Sequence, residues 1–269
     1  MVEADGRRIL FDTGYYPETV LKNARELGVD LSTVTDVVLS HHHDDHVGGL
    51  LTLRRELMRA NPRALSRIHV APGIFLPRRQ PNSDREATPM VALRDSLERT
   101  GAVFVVHDRP AELAPGAWVS GPVPRKHPER NWSPGTRIVT EKGLAEDTIP
   151  EDVSLVVNTD KGLVVLTGCG HAGVVNTVEF ARRTVGDRPA YAVLGGLHLF
   201  AASAQTLEWT AARLKENKVS VLLGAHCTGI EAVFRLREFG GLTRRTAVVG
   251  AVGASFDLAK GIDPLAVAQ

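Results

Sequence analysis

Residues 41 to 46 carry four side chains of the types that bind metal ions, at the spacing His-x-His-x-Asp-His: His41, His43, Asp45 and His46. Neutral imidazole and carboxylate together suit zinc, iron or manganese. Imidazoles packed this closely repel one another when protonated and add little to a core, unless a cation organises them. The alternative is a solvated histidine-rich loop or a tag remnant, which an internal position behind a buried strand disfavours. The stretch therefore predicts a metal site.

The neighbouring sequence predicts how this stretch is positioned. Residues 34–40 are mostly β-branched and apolar, which indicates a buried strand. Two glycines and a helical pattern over about 50–59 follow the histidines. The metal-binding residues would then lie in a strand-to-helix loop, at the carboxyl end of a strand, where α/β proteins place their chemistry.

Three more predicted strand ends carry histidine beside glycine, at residues 167–173, 195–199 and 224–229. A lone histidine after a strand is usually structural. Repetition at one sheet edge, with glycines permitting close backbone approach, favours a shared site instead. Six or more ligands exceed the needs of one tetrahedral zinc and suit two metals that share a bridging water. The histidines in these loops are His171, His198 and His226, whereas His69, His107 and His127 have no such setting and are predicted to be surface or core residues.

The order of elements predicts an α/β fold. Strands and helices alternate up to residue 110, and alternation resumes after a hairpin signal at 160–162. Between them, residues 110–150 contain seven prolines and one clear short strand near 117–120, which indicates an insertion on the substrate side. Two α/β halves joined by an antiparallel middle suggest two packed sheets with helices outside. We expect one domain over residues 1–269.

Composition excludes several classes of protein. With 43% hydrophobic and 23% charged residues, the chain reads as a globular protein, and a net charge of +1 argues against a dedicated nucleic-acid binder. No apolar run is long enough to span a membrane, and residues 1–8 do not look like a signal peptide. Two cysteines are too few for a disulfide framework, so a cytoplasmic location is expected. The arginine pair 78–79 is predicted to be exposed charge.

These motifs resemble those of the metallo-β-lactamase superfamily. The His-x-His-x-Asp-His stretch is its signature, and residues 12–14 (Asp-Thr-Gly) match its first motif. The resemblance implies a four-layer αβ/βα sandwich of two mixed β-sheets flanked by helices, with a dinuclear site at the sheet edge. It also implies that Asp12 orders the metal-binding loop. Members have more strand before this motif than eleven residues supply, so the N-terminal edge is expected to be shortened.

The resemblance also implies a ligand set. One metal ion would be held by His41 and His43 and the other by Asp45 and His46, with His171 and His226 completing the two sets. The superfamily's bridging Asp follows a strand as Gly-Asp, where this chain has Gly-Cys at 168–169. Cys169 is then either a thiolate ligand or a residue that lines the site while His171 binds. Two divalent ions are expected, with zinc ahead of manganese or iron.

Further motifs resemble the dihydropteroate-synthase-like branch of the superfamily: Thr-Gly-Cys-Gly-His at 167–171, Gly-Gly-Leu-His-Leu at 195–199 and His-Cys-Thr-Gly at 226–229. Archaeal members are associated with joining a dihydropterin methyl diphosphate to a ribofuranosyl-aminobenzene phosphate in methanopterin assembly, and many bacterial members carry a general hydrolase label. The resemblance implies a metal-dependent hydrolase whose bridging water attacks an ester or phosphoryl-type substrate. The alternatives are a pterin diphosphate-type transferase, an iron redox protein and a ligand-sensing protein.

Two residues are predicted to take part in catalysis. Asp45 would bind metal and orient the nucleophile. His198 would face the substrate as a hydrogen-bond donor or proton carrier; alternatively, His198 is itself a ligand and His226 is peripheral.

The proline-rich segment offers Arg125, Lys126 and Trp132, which could clamp a phosphate and stack a flat ring. The alternative is an ordinary solvated loop. The partner expected is a small molecule, phosphorylated or pterin-like, while the oligomeric state does not follow from the sequence.

Overall fold

The computed structural model describes residues 1–80, 82–132 and 135–264. The strands in chain order are β1 Val2–Ala4, β2 Arg7–Phe11, β3 Asp36–Val38, β4 Arg67–Val70, β5 Arg78–Arg79, β6 Val103–Val106, β7 Ala111–Ala114, β8 Ala117–Val119, β9 Arg137–Thr140, β10 Gly143–Glu146, β11 Ser154–Thr159, β12 Gly162–Thr167, β13 Ala192–Gly195, β14 Val221–Gly224, β15 Ala247–Val249, β16 Ser255–Asp257 and β17 Gly261–Asp263. The helices are α1 Thr19–Glu26, α2 Asp44–Val47, α3 Leu50–Leu57, α4 Pro89–Glu98, α5 Val174–Thr184, α6 Ala204–Glu216 and α7 Ile230–Gly240. Among these helices none is long and apolar enough to cross a membrane.

Two sheets form the centre of the fold. The first has the order β1-β2-β3-β4-β6 and is parallel from β2 onward, with β1 added antiparallel at its edge. The second has the order β15-β14-β13-β12-β11-β8-β7. It is parallel from β12 to β15 and antiparallel from β12 through β11 and β8 to β7. Both sheets are therefore mixed, as predicted.

Buried side chains divide the molecule into four layers. In β3 and the residue after it, Val37 and Leu39 pack on the helical side of the first sheet, whereas Val38 packs toward the second sheet. This alternation follows from the two-residue repeat of a strand. A separate core cluster lies between the second sheet and α5, α6 and α7. The layers are thus helices, sheet, sheet and helices, in agreement with the predicted sandwich.

The middle of the chain contains more strand than the sequence indicated. One short strand was predicted between residues 110 and 150, but β7, β8, β9 and β10 all fall there. The hairpin of β9 and β10 was missed because every residue of β10 is exposed, so it lacks the alternation of apolar and polar residues that marks a half-buried strand. Residues 133 and 134 of this segment lie outside the described part of the chain.

The prediction for the arginine pair was wrong for Arg78, whose side chain is fully buried. Its guanidinium donates to Asp147 and Glu151, each at 2.8 Å. Glu151 also contacts Nδ1 of His42 at 2.6 Å, and all these side chains are at most 3% exposed. A buried cation is tolerated because it is paired on two sides. The network links β5 to the loop after β3 through His42, the middle histidine of the His-His-His run.

Candidate metal centre

Five strand ends bring the candidate ligands together. In the first sheet β2 and β3 are parallel neighbours, and Phe11 pairs with Val38 just before their loops begin. In the second sheet Thr167, Gly195 and Gly224 pair in register at the ends of β12, β13 and β14. The carboxyl ends of parallel strands meet at one sheet edge, so the loops that follow them converge.

His41 and His171 each present a buried ring nitrogen without a partner. Nδ1 of His41 contacts the Ser40 hydroxyl at 2.9 Å, and Nδ1 of His171 faces the backbone carbonyl of Asn131. Nε2 of both rings is buried, with no hydrogen-bond partner in the described part of the chain. These two residues and Cys169 offer ligand atoms within 4.8 Å of one another. Buried nitrogens are costly to leave unsatisfied, so this donor set fits a bound metal ion.

His43 lies beside this pair, immediately before α2. Its ring centroid is 4.5 Å from that of His41 and 5.0 Å from that of His171. Burial lowers the pKa of His43 to about 3, and burial together with the neighbouring rings lowers the pKa values of His41 and His171. All three imidazoles are therefore neutral, which is the form that binds metal.

A second group of ligand atoms lies next to the first. Asp45, His46, Cys169 and His226 offer atoms within 4.8 Å of one another. Nε2 of His46 is 3.1 Å from the Cys169 sulfur and 3.2 Å from Nε2 of His226. A carboxylate oxygen of Asp45 is 2.9 Å from Nε2 of His226 and 3.4 Å from Nε2 of His46. Because Cys169 belongs to both groups, the two sets of ligands are contiguous.

Asp12 fixes the orientation of His46 from behind. Its carboxylate accepts hydrogen bonds from the backbone N–H and the hydroxyl of Ser40, both at 2.7 Å, and contacts Nδ1 of His46 at 2.6 Å. Nε2 is thereby aimed at Asp45 and Cys169. Burial lowers the pKa of His46, but the carboxylates of Asp12 and Asp45 outweigh it and raise that pKa to about 10. A metal ion bound at Nε2 would replace this proton.

A glycine allows the two sheets to approach at the centre. A Cβ atom on Gly168 would lie 2.0 Å from the hydroxyl oxygen of Ser40 and 2.8 Å from the carboxylate of Asp12. Any side chain there would separate Cys169 from the loop after β3. The glycine before Cys169 is thus required by packing.

His198 and Cys227 form the remaining part of the centre. His198 follows β13, and its ring centroid is 4.6 Å from that of His171. Both His198 (φ 50°) and His226 (φ 53°) have left-handed backbone conformations, which are uncommon for residues other than glycine and concentrate at functional sites. Hydrogen bonding from Cys169 lowers the pKa of the Cys227 thiol below its ordinary value, and His198 lowers that pKa further.

Comparison with known proteins places the chain in a family. Residues 1–59 match the metallo-β-lactamase superfamily. The chain is 30% identical over 238 residues to the 7,8-dihydropterin-6-methyl-4-(β-D-ribofuranosyl)-aminobenzene-5′-phosphate synthase of Methanocaldococcus jannaschii, an alignment that covers 86% of this chain and 79% of that protein. The chain belongs to the metallo-β-lactamase superfamily. A solved metal-dependent hydrolase of the β-lactamase superfamily superposes with a TM-score of 0.71 at 30% identity, covering 87% of this chain and 84% of that one.

A second curated protein matches a shorter stretch of the chain. Over 53 residues, 20% of this chain, the sequence is 45% identical to ribonuclease Z of Methanopyrus kandleri, of which the match covers 18%.

The predicted substrate-binding residues of this superfamily member occupy different settings. Arg125 lies 5.4 Å over the ring of Trp132, but its guanidinium also donates to the backbone carbonyls of residues 148 and 149. Trp132 donates to Glu146 at 3.0 Å through Nε1. Lys126 contributes a backbone N–H to the side chain of Asn176, and its own side chain is exposed. The structure therefore brings Arg125 and Trp132 together, and the role of all three residues in binding substrate stays a prediction.

A pocket of about 670 Å³ opens beside the metal centre. It lies between the segment 128–132 and the start of α6, and its walls include Trp132, Phe200 and Trp209 as well as His198. Sequence reasoning missed Phe200 and Trp209, and also Asn131, which orients His171. No local pattern identifies them, because their role depends on contacts between distant segments.

Glu129 ties the segment 126–129 to the start of α5. Its carboxylate accepts hydrogen bonds from the backbone N–H groups of Val175 at 3.1 Å and Asn176 at 2.8 Å. The side-chain carbonyl of Asn176 in turn accepts from the N–H groups of Lys126 and His127, both at 2.7 Å. Burial outweighs these bonds and raises the pKa of Glu129 to about 7.

We expect Glu129 to make the protein less stable as pH rises from about 5 to about 8. A carboxyl whose folded-state pKa lies above its ordinary value of 4.5 contributes stability that is fully present below pH 4.5 and is lost as pH rises through about 7. At 1.36 kcal/mol per pKa unit, this contribution is about 3 kcal/mol. Urea unfolding at several pH values should show that Glu129→Gln removes this dependence. Glu98→Gln, at an exposed ion pair on α4, is the control; equal slopes for wild type and Glu129→Gln would contradict the prediction.

Proposed function

We propose that the protein is a metal-dependent hydrolase with a dinuclear centre, acting on a small-molecule ester or phosphoryl-type substrate, and that residues 1–269 form one domain. The observation that carries the proposal is the convergence of buried, unpartnered Nε2 atoms of His41 and His171 with the adjoining Asp45, His46, Cys169 and His226 group. No core packing requirement accounts for two such groups side by side. Similarity to a metal-dependent hydrolase over most of both chains supports it.

The residues divide between two metal positions in this proposal. His41, His43 and His171 would hold one ion, and Asp45, His46 and His226 the other, with Cys169 in reach of both groups. Bound ions would polarise the substrate as Lewis acids and lower the pKa of water toward about 7. Zinc suits imidazole, carboxylate and thiolate together, whereas manganese prefers oxygen ligands.

The protein side chains would orient the reactants and move protons. Asp45 directs the nucleophile, since one of its carboxylate oxygens already lies 3.4 Å from Nε2 of His46 and 2.9 Å from Nε2 of His226. Asp12 keeps His46 aimed at the centre. His198 borders both the centre and the pocket, so it can donate a proton to the leaving group of a substrate held there.

Elemental analysis of protein purified without added metal tests the proposal, alongside the double variant His41→Ala/His43→Ala. At least about two zinc ions per chain, with the ions of the dinuclear centre lost in the variant, together with metal-dependent hydrolysis in a screen of phosphodiesters, lactones and other esters, are the expected results. Two iron ions and oxygen-dependent turnover would instead support a redox protein. Wild-type protein that binds less than about half an ion per chain would overturn the proposal.

A pterin diphosphate-type transferase is the second candidate, because the Methanocaldococcus jannaschii relative is a synthase of a dihydropterin compound. The aromatic walls of the pocket also suit a flat ring. Incubating the metal-loaded protein with a pterin methyl diphosphate, with and without an aminobenzene acceptor, distinguishes the transferase activity from the hydrolase activity. Diphosphate release that requires the acceptor indicates transfer, and release that does not require it indicates hydrolysis.

Trp209→Ala is expected to raise KM about 10-fold while kcat stays within about 2-fold, because an aromatic stacking contact is worth about 1–3 kcal/mol. Trp209 lines the pocket from α6 and is not among the candidate metal ligands. Steady-state kinetics on a ring-containing substrate measure the change. Trp118→Phe, in the second sheet and outside the pocket, is the control. An unchanged KM in Trp209→Ala would remove the pocket from substrate binding.

A further inference from the structure

Cys227 is a metal-capable residue that the proposed function leaves without a role. It lies in the single turn His226–Thr228 that follows β14. Its sulfur, the sulfur of Cys169 and a ring nitrogen of His198 all lie within 4.8 Å of one another. The three residues follow β12, β13 and β14, which are consecutive parallel neighbours in the second sheet. The group is therefore assembled by three adjacent strand ends of the same sheet.

The backbone around the group leaves space for the thiol. A Cβ atom on Gly196 would lie 3.0 Å from the Cys227 sulfur and 2.2 Å from the backbone oxygen of Gly168. Any other residue at position 196 would push the thiol away from Cys169. The same loop carries His198, whose Nδ1 is buried and finds no hydrogen-bond partner among the residues described. A ring nitrogen within 4.8 Å of two sulfur atoms is a donor set typical of a metal site, and the unpartnered Nδ1 shows that the ring has hydrogen-bonding capacity to spare.

We propose that Cys169, His198 and Cys227 form a third, sulfur-rich metal position beside the two of the dinuclear centre, in which Cys227 binds a zinc-like ion through its sulfur. His198 would use one ring nitrogen for this ion and keep the other for the donor role given above. The proposal rests on the proposed function, because Cys169 also belongs to both other ligand groups. Binding is an exchange of protons for metal: each thiol releases one proton to solvent, and no electron is transferred. Two thiolates neutralise the two charges of the ion.

This position gives the centre a preference among metals. Thiolate is a soft ligand that selects zinc, cadmium or cobalt over magnesium and manganese, whose usual ligands are oxygens. The consecutive residues His226 and Cys227 would contact neighbouring ions from one turn of backbone. Removing the Cys227 sulfur should thus change the metal preference while leaving the imidazole and carboxylate ligands in place.

Cobalt titration of metal-free protein under a reductant tests the proposal through the thiolate-to-cobalt absorption in the near ultraviolet. Cys227→Ser is expected to lose about half of this absorption at saturation, because one of the two thiolates is gone. Cys169→Ser is expected to lose the half that comes from the other thiolate. In competition experiments, the ratio of zinc affinity to manganese affinity should be about 10- to 100-fold lower in Cys227→Ser than in wild type. Circular dichroism of the metal-free variants controls for folding.

The outcomes of these experiments distinguish failure of the sulfur-rich position from failure of the proposed dinuclear hydrolase. Cys227→Ser that folds and keeps the full absorption and the wild-type zinc preference overturns the sulfur-rich position, while the dinuclear hydrolase stands. If Cys227→Ser does not fold, cadmium-113 resonances of wild-type protein decide instead: a shift typical of two sulfur ligands supports the position, and one typical of a single sulfur overturns it. Wild-type protein that binds no cobalt overturns both proposals.

Discussion

Replacing Arg78 with methionine is expected to lower the free energy of unfolding by about 3–5 kcal/mol, because it leaves the buried carboxylates of Asp147 and Glu151 without their cation. Both carboxylates are at most 2% exposed and each lies 2.8 Å from the guanidinium. Urea denaturation measures the loss. Arg79→Met is the matched control, since the neighbouring Arg79 is partly exposed and forms an ion pair with the partly exposed Glu86; its effect should stay below about 1 kcal/mol.

A triple variant checks the physical reason for this loss. Arg78→Met combined with Asp147→Asn and Glu151→Gln removes both unpaired buried carboxylates, so the triple variant should recover a large part of the stability that Arg78→Met loses. Equal stability of the single and triple variants would mean that the arginine acts through its packing volume. The effect should extend to the metal centre, because Glu151 also contacts His42 between His41 and His43.

Asp45→Asn is expected to lower kcat/KM about 100- to 10,000-fold in the proposed hydrolase. The substitution exchanges a negative carboxylate for a neutral amide at the point where Asp45 contacts His46 and His226. A neutral side chain neither orients an attacking water as a base does nor balances the charge of a metal ion. Steady-state kinetics and metal content, measured on the same preparation, separate loss of orientation from loss of metal.

Asp44→Asn is the control for this experiment, because Asp44 is the preceding residue, carries the same charge and is exposed. Its kcat/KM should stay within about 2-fold of wild type. A retained rate in Asp45→Asn, with two metal ions bound, would leave the protein as a ligand-binding rather than a catalytic member of the superfamily.

Local spacing determined much of the candidate site from the sequence alone. Imidazole and carboxylate groups at 41, 43, 45 and 46 follow one strand and open one short helix, so their neighbourhood does not depend on the rest of the fold. The order of strands and helices could also be predicted from the sequence, because the spacing of apolar residues within each segment indicates its secondary structure. The strand ends that carry His171, His198 and His226 could be recognised for the same reason.

Tertiary structure alone decided which of these residues meet. The 3.1 Å contact between His46 and Cys169 joins positions 123 residues apart and depends on two sheets packing face to face. Burial of Arg78 depends on acidic partners that arrive from 69 and 73 residues away. The pocket likewise needs the segment 128–132 to pack against α6. Spacing along the chain encodes contacts within one turn or loop, whereas these contacts are fixed by strand order and layer packing, to which every element contributes.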